Sequence, residues 1–456
     1  MSRSARFFLS FSLLALLPAG LEGQGPPGSP ANRGSRLTLQ DVVEMALRHY
    51  PTVAEAAATH EAAEGAVSQT RATRYPTLFT DASLARYQEP SLVAPLHGFD
   101  PTAAPEFDRD LVRGNVGFSY SIFDGGARGA RIDVAEAGAA IAAFGEESAR
   151  MELLASATAA YLDLLTTRDL LDAAESQKEA LEAEEERVQQ FLAEGKAARV
   201  DLLRVQAALS QSAAAEISLS AKLDLAVGRL ARLTGLGREA FGEGNLAGVV
   251  LARRDQAGLE TILSVARSTS PELRMASEQV VAAEAGLRQA KAAWMPALEA
   301  QGAYSDFGSL AGSHQWEWQG SLKISYPLFT GGARKGAQAQ ASAEARRAGE
   351  ALRKAELALD QEVEAALSRL IEARALREAL ERGVEQTQEV ARIEALALEV
   401  GSGVQTDFLG AQADLFQARA SLVQARHGEL LATVALARIS GELTLPWLKE
   451  TMEVEQ

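Results

Sequence analysis

Two kinds of hydrophobic pattern alternate along the chain. Between Gln315 and Leu328, apolar and polar residues alternate, so an extended strand here would have one apolar face and one polar face. The same alternation runs from Leu111 to Phe123, and it is weaker from Leu78 to Tyr87 and from Leu298 to Ser305. The sequence therefore predicts four amphipathic strands.

The second pattern is helical and very long. Apolar residues recur at three- and four-residue spacing, as at Ala157 and Tyr161, and proline is absent from 106–270 and again from 328–445. A helix from Arg128 to Glu194 would extend for about 100 Å. Long neighbouring helices with such apolar stripes are expected to pack as coiled coils.

The whole pattern occurs twice. The phrase SYSIFDGGAR begins at Ser119 and SYPLFTGGAR begins at Ser325, and each joins a strand to a long helix, with a shift of 206 residues between the copies. Upstream of the strands the shift is 220 residues, as between Pro51 and Pro271, so the first copy holds 14 additional residues. Because insertions belong in exposed loops, we predict a loop from Gln88 to Asp110.

The repeat boundaries and the two ends divide the chain. Arg3 and Arg6 precede an apolar run from Phe7 to Leu17, which is typical of a secretory signal and too short to span a membrane. The predicted parts are a cleaved signal peptide (1–23), a flexible linker (24–36), the first repeat (37–240), an inter-repeat linker (241–257), the second repeat (258–441) and a C-terminal tail (442–456).

Charge and composition exclude several classes of function. The formal net charge of −16 opposes binding to nucleic acid, and no Lys/Arg cluster interleaved with aromatic residues offers an exception. The chain has no cysteine, which excludes disulfides, thiol catalysis and thiolate metal sites. The five histidines show no metal-ligand spacing and are predicted to lie at the surface. No acidic pair is gathered beside a nucleophile, so we predict neither an enzyme nor a bound cofactor.

The strands are of the kind that membrane barrels use, although a soluble sheet with one buried face would show the same alternation. A soluble sheet would need a cover, and the long helices are expected to be engaged with one another. Four strands cannot close a barrel, and an open edge is not tolerated in lipid, so other copies of the chain must complete it. Two chains would give eight strands and three would give twelve, and only the larger number leaves room for an aqueous lumen.

With these features the chain resembles the TolC-type outer-membrane efflux duct family. The resemblance covers about Leu37 to Gly441 and rests on the two strand-to-helix joints, on the openings LQDVVEMALRHYP and LETILSVARSTSP, and on the hairpin turns FLAEGKAARVDLLRVQA and LEVGSGVQTDFLGAQA. It implies a mainly α protein with a membrane β part: a homotrimer with a twelve-stranded barrel in outer-membrane lipid and a twelve-helix coiled-coil tunnel across the periplasm.

The resemblance also implies a function. The protein would be the passive exit duct of a tripartite efflux or type I secretion system, working with an inner-membrane transporter and a periplasmic adaptor protein. Two other classes remain as alternatives. A secreted coiled-coil scaffold would explain the helices but not the strands, and a periplasmic adaptor has a helical hairpin but normally lacks a duplicated strand pair.

The resemblance places the functional residues in the two hairpin turns, where a glycine is followed by Asp, Leu and Gln. The matching residues are Gly195, Asp201, Leu203 and Gln206 in the first turn, and Gly401, Asp407, Leu409 and Gln412 in the second. Two roles are open for the aspartates. They could only stabilise a helix start, or they could form a carboxylate ring that selects cations or holds the gate shut. The other six residues are assigned to the hairpin tip and to adaptor contact.

The tip also departs from the family pattern. Gly403 and Gly410 stand where some members carry a gate-latching Arg and a second acidic residue, so we expect coiled-coil packing to hold the tip. The acidic run from Glu182 to Arg187 is predicted to be a solvated helix face, with adaptor contact as the alternative.

Overall fold

The structure is a computed structural model, and it describes residues 36–97, 102, 104–242, 244–252, 258–312 and 314–455. The predicted signal peptide and all but the last residue of the predicted linker lie outside these residues. The elements are α1 (Leu39–His49), α2 (Pro51–Ala72), β1 (Thr77–Leu92), β2 (Phe107–Phe123), α3 (Ala127–Ala193), α4 (Arg199–Thr234), a 3₁₀ turn (Arg238–Phe241), β3 (Val249–Leu251), α5 (Leu259–Thr269), α6 (Pro271–Ala292), β4 (Ala297–Ser309), β5 (His314–Ser325), α7 (Ala333–Glu399), α8 (Gln405–Ile439), α9 (Leu445–Thr451) and β6 (Met452–Val454).

The helix boundaries follow from local signals in the sequence. Proline occupies the first position of α2 and of α6, where its missing N–H costs no hydrogen bond. The long helices α3 and α7 contain 67 residues each and start after Gly126 and Gly332, whose φ angles of 89° and 90° only glycine adopts readily. The prediction of two very long helices is confirmed. None of the described helices combines the length and the apolar character that a bilayer crossing requires.

The strands β1, β2, β4 and β5 form one antiparallel sheet in that order. The register places Tyr304 between Val116 on β2 and Trp318 on β5, and the Tyr304 ring stacks on Trp316 with a centroid distance of 5.3 Å. Because alternate residues of a strand share a face, the apolar sets of the four strands combine into one apolar face. Trp318 is 76% exposed, and no described segment covers this face.

The described residues contain six strands rather than the predicted four. The additional strands β3 and β6 have three residues each and pair Val249 with Val454. Three residues are too few to show an alternating pattern, so the sequence did not reveal them. The loop predicted from Gln88 to Asp110 is also shorter, because β1 continues to Leu92 and β2 begins at Phe107.

The main hydrophobic core surrounds the middle of α3. Tyr161 is fully buried there, and its hydroxyl lies 3.0 Å from the carbonyl oxygen of Leu37 and 2.6 Å from that of Ala247. Burial raises the pKa of Tyr161, so the phenol remains a neutral donor. Residues from the tail, including Leu443 and Leu448, complete this core. The tail is therefore packed against the first repeat.

The two repeats do not have the same neighbours within one chain. Helix α6 packs against both α3 and α7, whereas its counterpart in the first repeat, α2, packs mainly against α3. Likewise α8 packs against both α7 and α3, whereas its counterpart α4 packs mainly against α3 and has only a small contact with α8. Within one chain, α2 and α4 therefore each pack against one long helix, α3, whereas α6 and α8 each pack against two, α3 and α7.

Candidate functional site at the helical tips

The two hairpin turns have the same backbone geometry. Gly195 and Gly401 have φ angles of 72° and 78°, the left-handed region that a helix reversal needs. In both turns the next N–H groups return to the last helical turn: Lys196 N donates to Phe191 O at 2.7 Å, and Ser402 N donates to Ala397 O at 2.9 Å. The structure places both glycines at the reversals that connect α3 to α4 and α7 to α8.

The two aspartates, which are equivalent in sequence, have different surroundings. Asp201 accepts a hydrogen bond from the backbone N–H of Ala198 at 3.2 Å and lies 3.5 Å from the guanidinium of Arg204. Asp407 lies in the first turn of α8 and is exposed, and its carboxylate has no hydrogen bond or ion pair to the described residues. Asp201 therefore stabilises a helix start, while the carboxylate of Asp407 is available for another role.

The other predicted tip residues also differ between the hairpins. Gln206 donates from Nε2 to Glu185 at 2.8 Å and so ties α4 to α3 within the first hairpin. Gln412 instead lines a groove of about 380 Å³ between α3 and α8. Leu203 is exposed and Leu409 is half-buried. The structure brings Gln412 to the contact between the two hairpins, whereas Gln206 lies inside one hairpin.

A polar contact that the sequence did not reveal joins the two hairpins. Glu184 on α3 is only 8% exposed, and its Oε1 accepts a hydrogen bond from Nε2 of Gln405 on α8 at 2.6 Å. Arg187 donates from Nη2 to the same oxygen at 2.6 Å and from Nε to Oε2 at 2.8 Å. These hydrogen bonds raise the pKa of Arg187, which keeps the guanidinium charged. We call Glu184, Arg187 and Gln405 the tip bridge.

The tip bridge corrects, for Glu184, the prediction that the run from Glu182 to Arg187 is a solvated helix face. Glu182 and Glu186 are exposed, as predicted. Leu181 and Val188 are buried, and Glu184 lies between them at three- and four-residue spacing on the same side of α3. That spacing was the available signal. It indicates a buried stripe that includes a carboxylate, and a buried carboxylate requires a partner.

The geometry of the second turn accounts for the glycine, rather than an arginine, at position 403. A Cβ atom at residue 403 would lie 2.7 Å from the backbone nitrogen of Leu398, closer than real Cβ contacts allow. The side chain of any other residue would therefore disturb the turn. Gly410 has open space around it, so nothing in the turn geometry requires a glycine there.

Comparison with known proteins agrees with this architecture. The family model described as outer membrane efflux protein matches residues 42–236 and 262–442, which covers both repeats. The chain belongs to the outer membrane efflux protein family. The membership confirms the outer-membrane localisation and the prediction that the protein is not an enzyme. It also disfavours the alternatives of a secreted scaffold and of a periplasmic adaptor.

Individual relatives are more distant. Protein CyaE of Bordetella pertussis is 27% identical over 379 residues, which cover 79% of this chain and 76% of the relative. The outer membrane protein VceC of Vibrio cholerae has a similar structure, with a TM-score of 0.77 and 21% identity over 88% of this chain and 96% of the other. The outer membrane channel CmeC of Campylobacter jejuni has a TM-score of 0.76 and 16% identity over 89% and 85% of the two chains. The two structural similarities establish the fold.

Further from the hairpin turns, the contact between α3 and α8 also contains a histidine. His427 on α8 is half-buried, and its Nδ1 lies 2.6 Å from Oγ1 of Thr166 on α3. Burial, together with the nearby positive charge of Arg426, lowers the pKa of His427. The prediction that the histidines lie at the surface holds for His49, His97 and His314, which are exposed. It is wrong for His427 and His60, which are half-buried against α3.

We expect His427→Gln to make the thermal stability of the protein less sensitive to acid. Because the folded-state pKa is lowered, the unfolded chain binds the proton more readily, so stability is present above the ordinary histidine pKa of about 6.5 and declines as pH falls below it. Glutamine can keep a hydrogen bond to Thr166 without titrating. The measurement is the unfolding temperature between about pH 8 and pH 5. An equal acid-induced loss in wild type and variant would contradict this role.

At the other end of the helices, the start of the β1–β2 connection lies over the polar face of the sheet. Leu111 belongs to the polar face by register, yet it is buried, as is Val93 in the connection. Further along, Nε2 of His97 lies 2.6 Å from the carboxylate of Glu317 on β5. This segment therefore reaches across the sheet from the β1 edge to β5.

Proposed function

We propose that the protein is the passive exit duct of an efflux or type I secretion system. Three copies would close their sheets into a twelve-stranded barrel in outer-membrane lipid, and their helices would form a tunnel through the periplasm. Residues 1–23 would direct export and be removed. An inner-membrane transporter and a periplasmic adaptor would supply the energy and the cargo.

The open sheet is the observation that carries the proposal. Its edges, β1 and β5, have no strand partner on their outer sides among the described residues, and its apolar face is exposed. Unpaired backbone groups at such an edge are costly in lipid, and pairing β5 of one copy with β1 of the next would satisfy them. Twelve strands leave an aqueous lumen lined by the polar face.

Exposed apolar residues on two helices support the same assembly. They are Val200, Leu203, Ile217 and Leu225 on α4, and Ile371, Leu376, Val390 and Ile393 on α7. In one chain α8 packs against α3, and the repeat makes α4 and α7 the counterparts of these two helices. Packing α4 of one copy against α7 of the next would bury both sets, as apolar coiled-coil residues require.

The tips have separate roles in this proposal. The Asp407 carboxylates would face one another at the narrow end of the tunnel and favour cations, with Asp201 nearby. The tip bridge would hold the two hairpins of one copy together in the closed state. Adaptor contact is proposed for six residues: Gly195, Leu203, Gln206, Gly401, Leu409 and Gln412. The groove that Gln412 lines between α3 and α8 would be available for that contact.

The assembly is tested by extracting the mature protein from membranes in detergent. Because the sheet edges and the apolar helix faces need partners, we expect a particle whose protein mass is about three times that of one chain, with no monomer at equilibrium. Light scattering coupled to size-exclusion chromatography measures this mass. A stable monomer, or a water-soluble particle of any size, would contradict the proposal.

A further inference from the structure

The internal repeat contains information about the contact between copies. Helix α6 packs against α3 and α7, whereas its counterpart α2 packs mainly against α3. In a closed ring of repeats, every helix of this type should lie between two long helices. The missing neighbour of α2 is therefore an α7, and it must belong to a second copy of this chain.

Two ion pairs fix the register of the observed contact between α6 and α3. Arg274 lies 3.1 Å from Glu147, and Arg288 lies 2.6 Å from Asp133. From the first ion pair to the second, the residue number rises by 14 on α6 and falls by 14 on α3. The two helices are therefore antiparallel and keep a constant register. The repeat shifts of 220 residues for α6 and 206 residues for α3 transfer this register onto α2 and α7.

The transferred register brings together side chains that complement each other. Arg346 on α7 falls opposite Glu61 on α2, and both are exposed without an ion-pair partner in the described part of the chain. Leu357 falls opposite Tyr50. Leu357 is 64% exposed, whereas its counterpart in the first repeat, Met151, is only 5% exposed. Leu357 is thus an exposed apolar residue at a position that is buried in the other repeat. This difference indicates that α7 lacks a neighbouring helix there.

Net charge along the two helices agrees with this pairing. Helix α2 holds three acidic residues and one basic residue, Arg71, so it is net negative. The first part of α7, residues 333–356, holds six basic and three acidic residues, so it is net positive. We propose that α2 of one copy docks on α7 of the next through an ion pair between Glu61 and Arg346 and a contact between Tyr50 and Leu357. This inference rests on the proposed trimer and specifies the register of its interface.

Charge reversal tests the ion pair. Glu61→Arg and Arg346→Glu should each place three like-charge contacts in the trimer and lower its dissociation temperature by about 2–4 °C. The double variant restores opposite charges and should recover most of that loss. The two single variants change the net charge in opposite directions, so a loss of stability in both cannot come from net charge alone. Additive losses in the double variant would overturn the pairing.

Cross-linking tests the register independently. Because the chain has no native cysteine, only the introduced thiols can react. A chain with Glu61→Cys and Arg346→Cys, treated with a short thiol-specific cross-linker, should yield covalent trimer on a denaturing gel. The matched control with Glu61→Cys and Arg382→Cys moves the second thiol about 54 Å along α7 and should remain monomeric on the gel. Particle mass in detergent is measured on the same samples. A trimeric particle without cross-linking overturns the register alone, whereas a monomeric particle overturns the proposed trimer.

Discussion

Replacement of Glu184 with alanine is expected to raise the conductance of the resting channel about tenfold or more. The carboxylate of Glu184 accepts hydrogen bonds from Gln405 and Arg187 in a buried position. Removing it leaves a buried amide and a guanidinium without their acceptor, at a cost of about 1–3 kcal/mol per copy. In the proposed trimer this loss occurs three times, and 1.4 kcal/mol already changes an equilibrium about tenfold. Single-channel recording in planar bilayers measures the effect.

Glu185 provides a matched control for this experiment. Its carboxylate also accepts a hydrogen bond from a glutamine, at 2.8 Å, but that glutamine is Gln206 on α4 of the same hairpin. Since this bond does not join the two hairpins, we expect Glu185→Ala to leave the resting conductance near the wild-type value. If Glu184→Ala and Glu185→Ala behave alike, the tip bridge does not hold the closed state.

The sequence was sufficient to predict most of the fold. The prolines at 51 and 271 and the duplicated strand-to-helix phrase mark boundaries that the structure reproduces, because these signals act locally on backbone geometry. The apolar alternation predicted the four long strands as well, more clearly for β2 and β5 than for β1 and β4. The pairing of β3 with β6 was not predictable, because it depends on the tail folding back onto the segment between the two repeats.

Prediction was less complete for the tip. The turn glycines could be predicted because each reversal needs a left-handed residue. The difference between Asp201 and Asp407 could not be predicted, because the two residues occupy equivalent sequence positions and differ only in their spatial neighbours. For Glu184, the spacing from Leu181 and Val188 indicates burial, but the sequence does not identify its partner across the contact. Its partner Gln405 is more than two hundred residues away in the chain.

The repeat counterparts of the tip bridge indicate how the two kinds of hairpin contact differ. Glu184 and Arg187 correspond to Val390 and Ile393, and Gln405 corresponds to Arg199. The contact between hairpins of one chain is therefore polar at the tip bridge, whereas the corresponding positions of the proposed contact between adjacent copies have apolar residues on α7. Polar groups make directional bonds that break over short displacements, and apolar contacts tolerate sliding. A tip that opens would thus lose its bonds within each copy while keeping its contacts between copies.

Asp407→Asn is expected to remove most of the cation preference of the channel. In the proposed trimer the three exposed carboxylates lie at the narrow end of the tunnel, where rings of acidic side chains attract cations and repel anions. Asparagine keeps the size of the side chain and can still interact with the helix start, so the change isolates the charge. Asp201→Asn is the matched variant. Asp201 already accepts a hydrogen bond from Ala198 and pairs with Arg204, so we expect Asp201→Asn to alter selectivity much less.

Both variants are compared by the reversal potential in a salt gradient and by block with a trivalent cation. For Asp407→Asn we expect the reversal potential to move most of the way to the value of a nonselective pore, and block to weaken severalfold, because three negative charges leave the constriction together. For Asp201→Asn we expect a small change in selectivity and a lower unfolding temperature, because the start of α4 loses a charged partner. Unchanged selectivity in Asp407→Asn would leave that residue with a helix-start role alone, and a larger shift in Asp201→Asn would reverse the assignment of the two aspartates.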